Sequence, residues 1–228
     1  MQMNCAVVGV GMTPFGNHAD LTIRQMAEAA VAQALAEAGL AAQDVEAVFF
    51  ANAAAGLITG QEMIRAQAAL RHTGLAGKPM TNVENACASG STALLHAWGA
   101  VTSGMADVAL VVGAEKLSHP DKAVSFQAYA RAVDLEEPLP AHVGAGSGSI
   151  FMDIYAEKTR KYMRASGATP EDFAQVVVKS RAAAALNPLA QFRTPLTVEE
   201  VLGARTISAP LTLPMCSPIG DGAAALVL

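Results

Sequence analysis

Two hydrophobic periods alternate along the first half of the chain: short runs of consecutive apolar residues, and longer stretches in which apolar positions recur every three to four residues. Asn4 to Gly11 (NCAVVGVG) reads as a strand buried on both faces of a parallel sheet. From Ile23, the positions Met26, Ala27, Ala30, Val31, Ala34, Leu35 and Ala38 follow helical spacing, with Thr22 and Gln25 as a capping box and Gly39 as the stop. Val45 to Ala51 predicts a second strand, Glu62 to His72 a helix, and Pro79 to Glu84 a third strand. The uncharged stretch after Glu84 predicts a helix to about Gly104, buried in protein on all sides, and Val108 to Ala114 (VALVVGA) is the plainest buried strand. This alternation specifies a parallel sheet with right-handed crossovers.

After Glu115 the alternation stops. Lys116 to Pro210 shows helical patterns, a Gly/Ser cluster (Gly144 to Ser149) and scattered prolines, and no strand is predicted there. Thr169-Pro170-Glu171-Asp172 is a helix start with a cap, a first-turn proline and early carboxylates, and Asn187-Pro188 ends that helix. The chain then returns to an apolar strand from Gly222 to Leu228. The expected organisation is a core of residues 1–115 and 216–228 with a helical insertion, 116–215. A terminal carboxylate on a strand inside a sheet is costly to bury, so the expectation is that the polypeptide continues or that another chain covers this end.

Composition narrows the function. Charged residues are 15% against 52% hydrophobic, so much of the surface is expected to be apolar or covered by a partner. Asn85 to Ala106 is long enough for a membrane span, but its serines, threonines, Asn85 and His96 fit a helix inside protein instead. A net charge of -5 offers no surplus to displace phosphate counterions, which argues against nucleic acid. Cys5, Cys87 and Cys216 lack the spacing of a disulfide framework or a metal site, and no secretory signal is evident, so a cytoplasmic protein without a metal is expected.

Cys87 stands apart because it lies at the junction of the third strand and the uncharged helix. Unpaired N–H groups and the macrodipole at a helix start favour thiolate over thiol, the state a nucleophile needs. Cys5, within a strand, and Cys216, in a proline-flanked loop, read as structural. No histidine is an obvious base: His96 lies nine residues along the same helix, about 13 Å away by the helical rise. Gly9-x-Gly11 is not completed into a dinucleotide fingerprint, because Pro14 occupies the third glycine position. Asn85 and Ser89 likewise stand where a hydrolase nucleophile elbow has glycines. Lys158, Arg160, Lys161, Arg164, Lys179, Arg181 and Arg193 put seven of the fifteen basic residues into the insertion. They form either a patch that receives a phosphorylated ligand or the solvated faces of two amphipathic helices.

VENACASGSTALLHAW (Val83 to Trp98) followed by DVALVVGAEKLS (Asp107 to Ser118) resembles the nucleophile helix and following strand of thiolases. Asn187-Pro188, Ala190-Gln191-Phe192-Arg193 and Ser217-Pro218-x-Gly220-Asp221-Gly222-Ala223-Ala224-Ala225 are similar to the sterol-carrier-protein and archaeal branch, and the resemblance spans the whole chain. It implies an α/β thiolase-like fold, of which this chain is the first βαβαβαββ half: a mixed, mostly parallel five-stranded sheet with an inserted helical loop domain.

The resemblance implies that Cys87 takes the acyl group of an acyl-CoA as a thioester, its own backbone N–H contributing to an oxyanion hole. It also implies that the loop domain holds CoA, with Arg160, Lys161, Arg164, Lys179, Arg181 and Arg193 as candidate contacts. The family's Asn-Glu, Gly-His-Pro and Cys-x-Gly motifs belong to the second half and are absent here. The expected protein is therefore the nucleophile-bearing half of an acetyl-CoA acetyltransferase or 3-ketoacyl-CoA thiolase, needing a second-half polypeptide for turnover. Alternatives are a non-catalytic CoA-ester-binding or scaffold subunit, and a thiolase-like aldolase of steroid side chains with an OB-fold partner. The resemblance further implies a homodimer joined through the third strand.

Overall fold

The computed structural model describes residues 5–145 and 147–228, and divides into two compact units, Met1–Ser125 with Ile219–Leu228, and Phe126–Pro218. In the first unit the chain forms β1 (Gly9–Met12), α1 (Ile23–Ala38), β2 (Ala47–Ala51), α2 (Ala55–Thr59), α3 (Arg65–Ala69), β3 (Met80–Val83), α4 (Ser89–Thr102) and β4 (Ala109–Glu115). After α5 (Lys122–Ala130), within which the boundary falls, the second unit contains α6 (Ile150–Ser166), α7 (Pro170–Ala185), α8 (Val198–Gly203), β5 (Thr206–Ser208) and β6 (Leu211–Thr212). β7 (Gly222–Val227) completes the first unit.

The sheet order is β1-β7-β4-β2-β3. β2 pairs parallel with β3 and β4, while β7 runs antiparallel to both β1 and β4. Four strands thus point one way and the last points back, the mixed and mostly parallel sheet expected of this half. Alternation along the strands assigns side chains to opposite faces. Val48, Phe50, Leu110, Val112, Ala225 and Val227 pack with Met26, Ala30, Val31 and Ala34 of α1. On the opposite face Ala51, Val111 and Leu228 pack with Ala93 and Ala97 of α4. α1 begins and ends as its sequence dictates: Gln25 N–H donates to Thr22 Oγ1 at 3.2 Å, and Gly39 takes the left-handed conformation at φ 66°. In the second unit Thr169 N–H donates to Asp172 Oδ2 at 2.8 Å, closing the predicted start of α7.

Several expectations need correction. The first strand is an edge strand covered on one face only, not doubly buried: Val8 and Val10 are about half exposed, while Gly9 and Gly11 face α1. A Cβ at Gly9 would stand 2.2 Å from Ala34 O, and one at Gly11 2.1 Å from Ala30 O, so the glycines permit helix and strand to approach closely. Asn4, where the sequence pattern starts that strand, lies outside the described residues, as does Gly146 in the Gly/Ser cluster. The helix expected over Glu62–His72 is confined to α3, because Ile64 adopts a left-handed conformation (φ 47°) that interrupts the chain between α2 and α3. The uncharged α4 is not buried all round; Ser89, Ala93, Ala97 and Ala100 form its buried stripe, whereas Leu95 is 61% exposed. The second unit does contain strands, β5 and β6, which form a two-stranded antiparallel ladder too short for hydrophobic periodicity to register.

Candidate active site

The turn between β3 and α4 carries Cys87. Ala86, just before it, has φ 45°, a conformation rare for a residue with a Cβ and tolerated only where surrounding bonds hold it. Those bonds are present. Ser89 Oγ donates to Ala86 O at 2.7 Å and accepts from Asn85 N–H at 2.8 Å. Glu84 Oε1 accepts from Ala86 N–H at 2.6 Å, and Asn85 Nδ2 donates to Thr92 Oγ1 at 3.0 Å. Strand, strained turn and helix therefore present Cys87 beside the helix start, with Ala86 clamped in its left-handed conformation by its neighbours. Cys87 is exposed, two residues before the first residue of α4.

The other two cysteines are only partly accessible. Burial pushes the Cys216 thiol up, and its Sγ donates to Thr212 O at 3.5 Å, so it remains a thiol. Cys5 packs at the margin of the α4-side core. None of the hydrogen bonds among the described residues joins a histidine to Cys87. His96 instead stacks on Phe49, ring centroids 6.3 Å apart, and His18 Nε2 lies 2.7 Å from Pro14 O.

A cleft of about 270 Å³ lies at the ends of β2 and β3, where Asn52, Glu62, Arg65, Asn82 and Glu84 share the lining with the apolar Phe50, Met63, Ile64 and Val83. Carboxyl ends of parallel strands are where α/β sheets place ligands. Arg65 is anchored there by donation from Nη1 to Asn52 Oδ1 at 2.6 Å, and Asn52 Nδ2 donates onward to Glu115 Oε1 at 2.9 Å. Glu115 Oε2 also accepts from the N–H groups of Ala53 and Ala54, which fixes the loop after β2.

Asp221 figures in the sequence as part of the motif over residues 217–225, with no role assigned to it. It is fully buried, and it accepts from the N–H groups of His18, Leu117 and Ser118, from the Ser118 hydroxyl and from Lys116 Nζ. Burial alone would raise its pKa, but the Ser118 hydroxyl and the N–H groups of Ser118, Leu117 and His18 outweigh that and hold it below the usual range. The result ties the end of β4 and the loop after β1 to the start of β7. The sequence signals were the place of Asp221 in that motif and the charged Glu115-Lys116 pair closing an apolar strand.

The six basic candidates all lie in the second unit, on α6 (Arg160, Lys161, Arg164), on α7 (Lys179, Arg181) and just beyond it (Arg193). Four have internal partners: Arg160 donates to Ala209 O, Lys161 pairs with Glu157 at 2.8 Å, Arg181 stacks over Phe192, and Arg193 donates to Ala185 O. In the same unit the buried Asp153 accepts from Gly144 N–H at 2.7 Å. Burial opposes its ionisation, yet bonds from Ser208, Ser147 and Gly144 bring its pKa below the ordinary value.

Among known proteins, the family model for the thiolase N-terminal domain matches residues 5–209. Acetyl-CoA acetyltransferase of Methanothermobacter thermautotrophicus is 40% identical over 98% of this chain and 56% of its own length. Sterol carrier protein 2 of Gallus gallus is 33% identical over 100% of this chain and 41% of its own. The solved structure of an Ltp2-ChsH2(DUF35) aldolase superposes with a TM-score of 0.71 at 28% identity, covering 97% of this chain and 54% of that one. The chain thus spans about half the length of the relatives it matches. With its sheet order, its strained Cys87 turn and a family match over most of its length, the chain belongs to the thiolase family and carries that family's N-terminal domain.

Proposed function

We propose that this chain supplies the nucleophile of a thiolase-type acyl-CoA acyltransferase. The Cys87 thiolate attacks the thioester carbonyl of an acyl-CoA, a new S–C bond forms, and the C–S bond to CoA breaks, releasing CoA thiolate, which takes up a proton. The observation that carries this reading is the exposed Cys87 on a strained, hydrogen-bonded turn immediately before α4. In this reading the loop domain, residues 116–215, receives CoA, with Arg160, Lys161, Arg164, Lys179, Arg181 and Arg193 meeting its phosphates. The general acid and base come from a second-half polypeptide, and the exposed uncharged face of α4, including Leu94 and Leu95, supports the need for such a cover. Pairing of β3 with its mate in a second copy would protect the sheet's open edge. Three unpaired cysteines fit a reducing cytoplasm, and among the described residues no helix is long and apolar enough to cross a membrane.

Limited iodoacetamide followed by peptide mapping tests the nucleophile. Cys87 is expected to alkylate well ahead of Cys5 and Cys216, and equal rates for all three would remove the basis of the assignment. Incubation with labelled acetyl-CoA should leave a hydroxylamine-labile label lost in Cys87→Ser. A scaffold role is the second reading, favoured by the absence of any histidine bonded to Cys87 among the described residues. Adding a matching second half separates the two: restored acetoacetyl-CoA cleavage supports the enzyme, and association without cleavage supports the scaffold. The aldolase reading, with an OB-fold partner, draws on the likeness to the solved Ltp2-ChsH2(DUF35) aldolase, and retention of Cys87 weighs against it.

A further inference from the structure

We propose that the cleft between the start of α1 and the segment joining α3 to β3 is a binding site for a small diphosphate-bearing anion, separate from the Cys87 turn and from the basic residues of the second unit. The cleft holds about 480 Å³, within the range of small-molecule sites, and Arg24, Arg71 and Lys78 all line it. No carboxylate lines it, although acidic residues outnumber basic ones in the chain, 20 to 15. Among the described residues none of these three cations is within salt-bridge distance of a carboxylate.

Two of the cations are oriented without being neutralised. Arg24 Nε donates to Ala68 O at 3.2 Å, and Lys78 Nζ donates to Gln43 O at 2.8 Å, both neutral acceptors. The terminal guanidinium nitrogens of Arg24 have no protein acceptor among the described residues, and Arg71 is exposed. The Gln67 amide adds a neutral donor, the Gln61 amide already donates to Met63 O at 2.6 Å, and Ile64, Ala68, Ala76 and Met80 supply apolar lining. Three cations without carboxylate partners in one cleft suit the charge of a diphosphate, and two planar guanidinium groups suit bidentate contact with phosphate oxygens. Concavity favours a small anion over an acidic protein surface.

Isothermal titration of the chain with inorganic pyrophosphate and with ADP, at constant ionic strength, tests this. Saturable binding of pyrophosphate is expected, weakened at least tenfold in the double variant Arg71→Glu/Lys78→Glu and unchanged in Lys122→Ala/Arg131→Ala, two exposed cations outside both sites. Where the reversal perturbs folding, Arg71→Gln alone, which removes no internal hydrogen bond, should still weaken binding severalfold. No saturable binding of pyrophosphate, or an equal loss in the Lys122/Arg131 variant, overturns the proposal. ADP binding as tightly as pyrophosphate or tighter marks a nucleotide as the source of the diphosphate, and a preference for pyrophosphate marks a free one. Because the readout involves neither Cys87 nor acyl transfer, its failure leaves the acyltransferase reading untouched, and the reverse also holds.

Discussion

The two faces of the sheet are built to different standards. The face under α1 is sealed: Met26, Ala27, Ala30, Val31 and Ala34 are all within 1% of complete burial against Val48, Phe50, Leu110 and Val227. The face under α4 has a smaller core in which alanines predominate, and beyond it Val8, Val10 and Leu95 remain at least half exposed. Burying each large apolar side chain is worth ~1.5–3 kcal/mol, so most of this unit's own stability resides on the α1 side. The α4 side keeps apolar side chains exposed and is the side whose helix begins two residues after Cys87. The lesson is that this domain concentrates its large buried side chains on one face and carries the Cys87 turn beside the other.

The sharpest way to break that comparison is to truncate one large residue on each face. Phe50→Ala should cost about 3–5 kcal/mol in urea unfolding through the cavity it leaves. Leu95→Ala should stay within about 0.5 kcal/mol. Similar costs at both positions would erase the distinction.

Carboxylates give a polar version of the same test. Asp221→Asn leaves Lys116 without its buried partner and turns an amide donor toward backbone N–H groups, so a loss of about 3–5 kcal/mol is expected. Glu84→Gln, on the exposed turn, keeps an oxygen for Ala86 N–H and should shift stability by less than about 0.5 kcal/mol. The Asp221 contribution also has a defined pH sign. Its folded pKa lies below the unfolded value of about 3.9, so the stabilisation is present above that pH and is lost as pH falls through the folded pKa. Acid unfolding followed by circular dichroism should show this limb in the wild type and flatten it in Asp221→Asn.

A smaller effect is expected from Gly11→Ala, about 1–3 kcal/mol, because its methyl group must push α1 off the strand. An unchanged midpoint would mean that the close approach is not required. Least for the fold but decisive for the comparison, Leu95→Lys should leave the chain's own unfolding within about 0.5 kcal/mol and abolish its association with a second-half polypeptide in size-exclusion chromatography. Retained association would place the partner elsewhere.

Elements whose signals are local were legible. The cap of α1 at Thr22 and its stop at Gly39, the start of α7 at Thr169-Pro170, the apolar β4 and the position of Cys87 at a strand–helix junction all follow from neighbours within a few residues. The turn itself is less legible. Asn85 and Ser89 rule out a glycine-flanked elbow, but they do not reveal that the Ser89 hydroxyl holds Ala86 in a left-handed conformation. The basic residues of the second unit are visible as charges, whereas their engagement by Ala209, Glu157, Phe192 and Ala185 is not.

Hydrophobic period and capping chemistry determined by themselves which segments become helices and strands, and the motif around Cys87 determined the family, because both depend on residues adjacent in the chain. Only the tertiary structure decided that β1 lies at an edge, that α4 hides a single stripe, that Asp221 joins segments 104 residues apart and that Arg24, Arg71 and Lys78 share one cleft. Those outcomes depend on which surfaces meet after the chain has crossed over itself. No local pattern encodes that, since an exposed and a buried valine, or a free and a sealed aspartate, are written with the same letter.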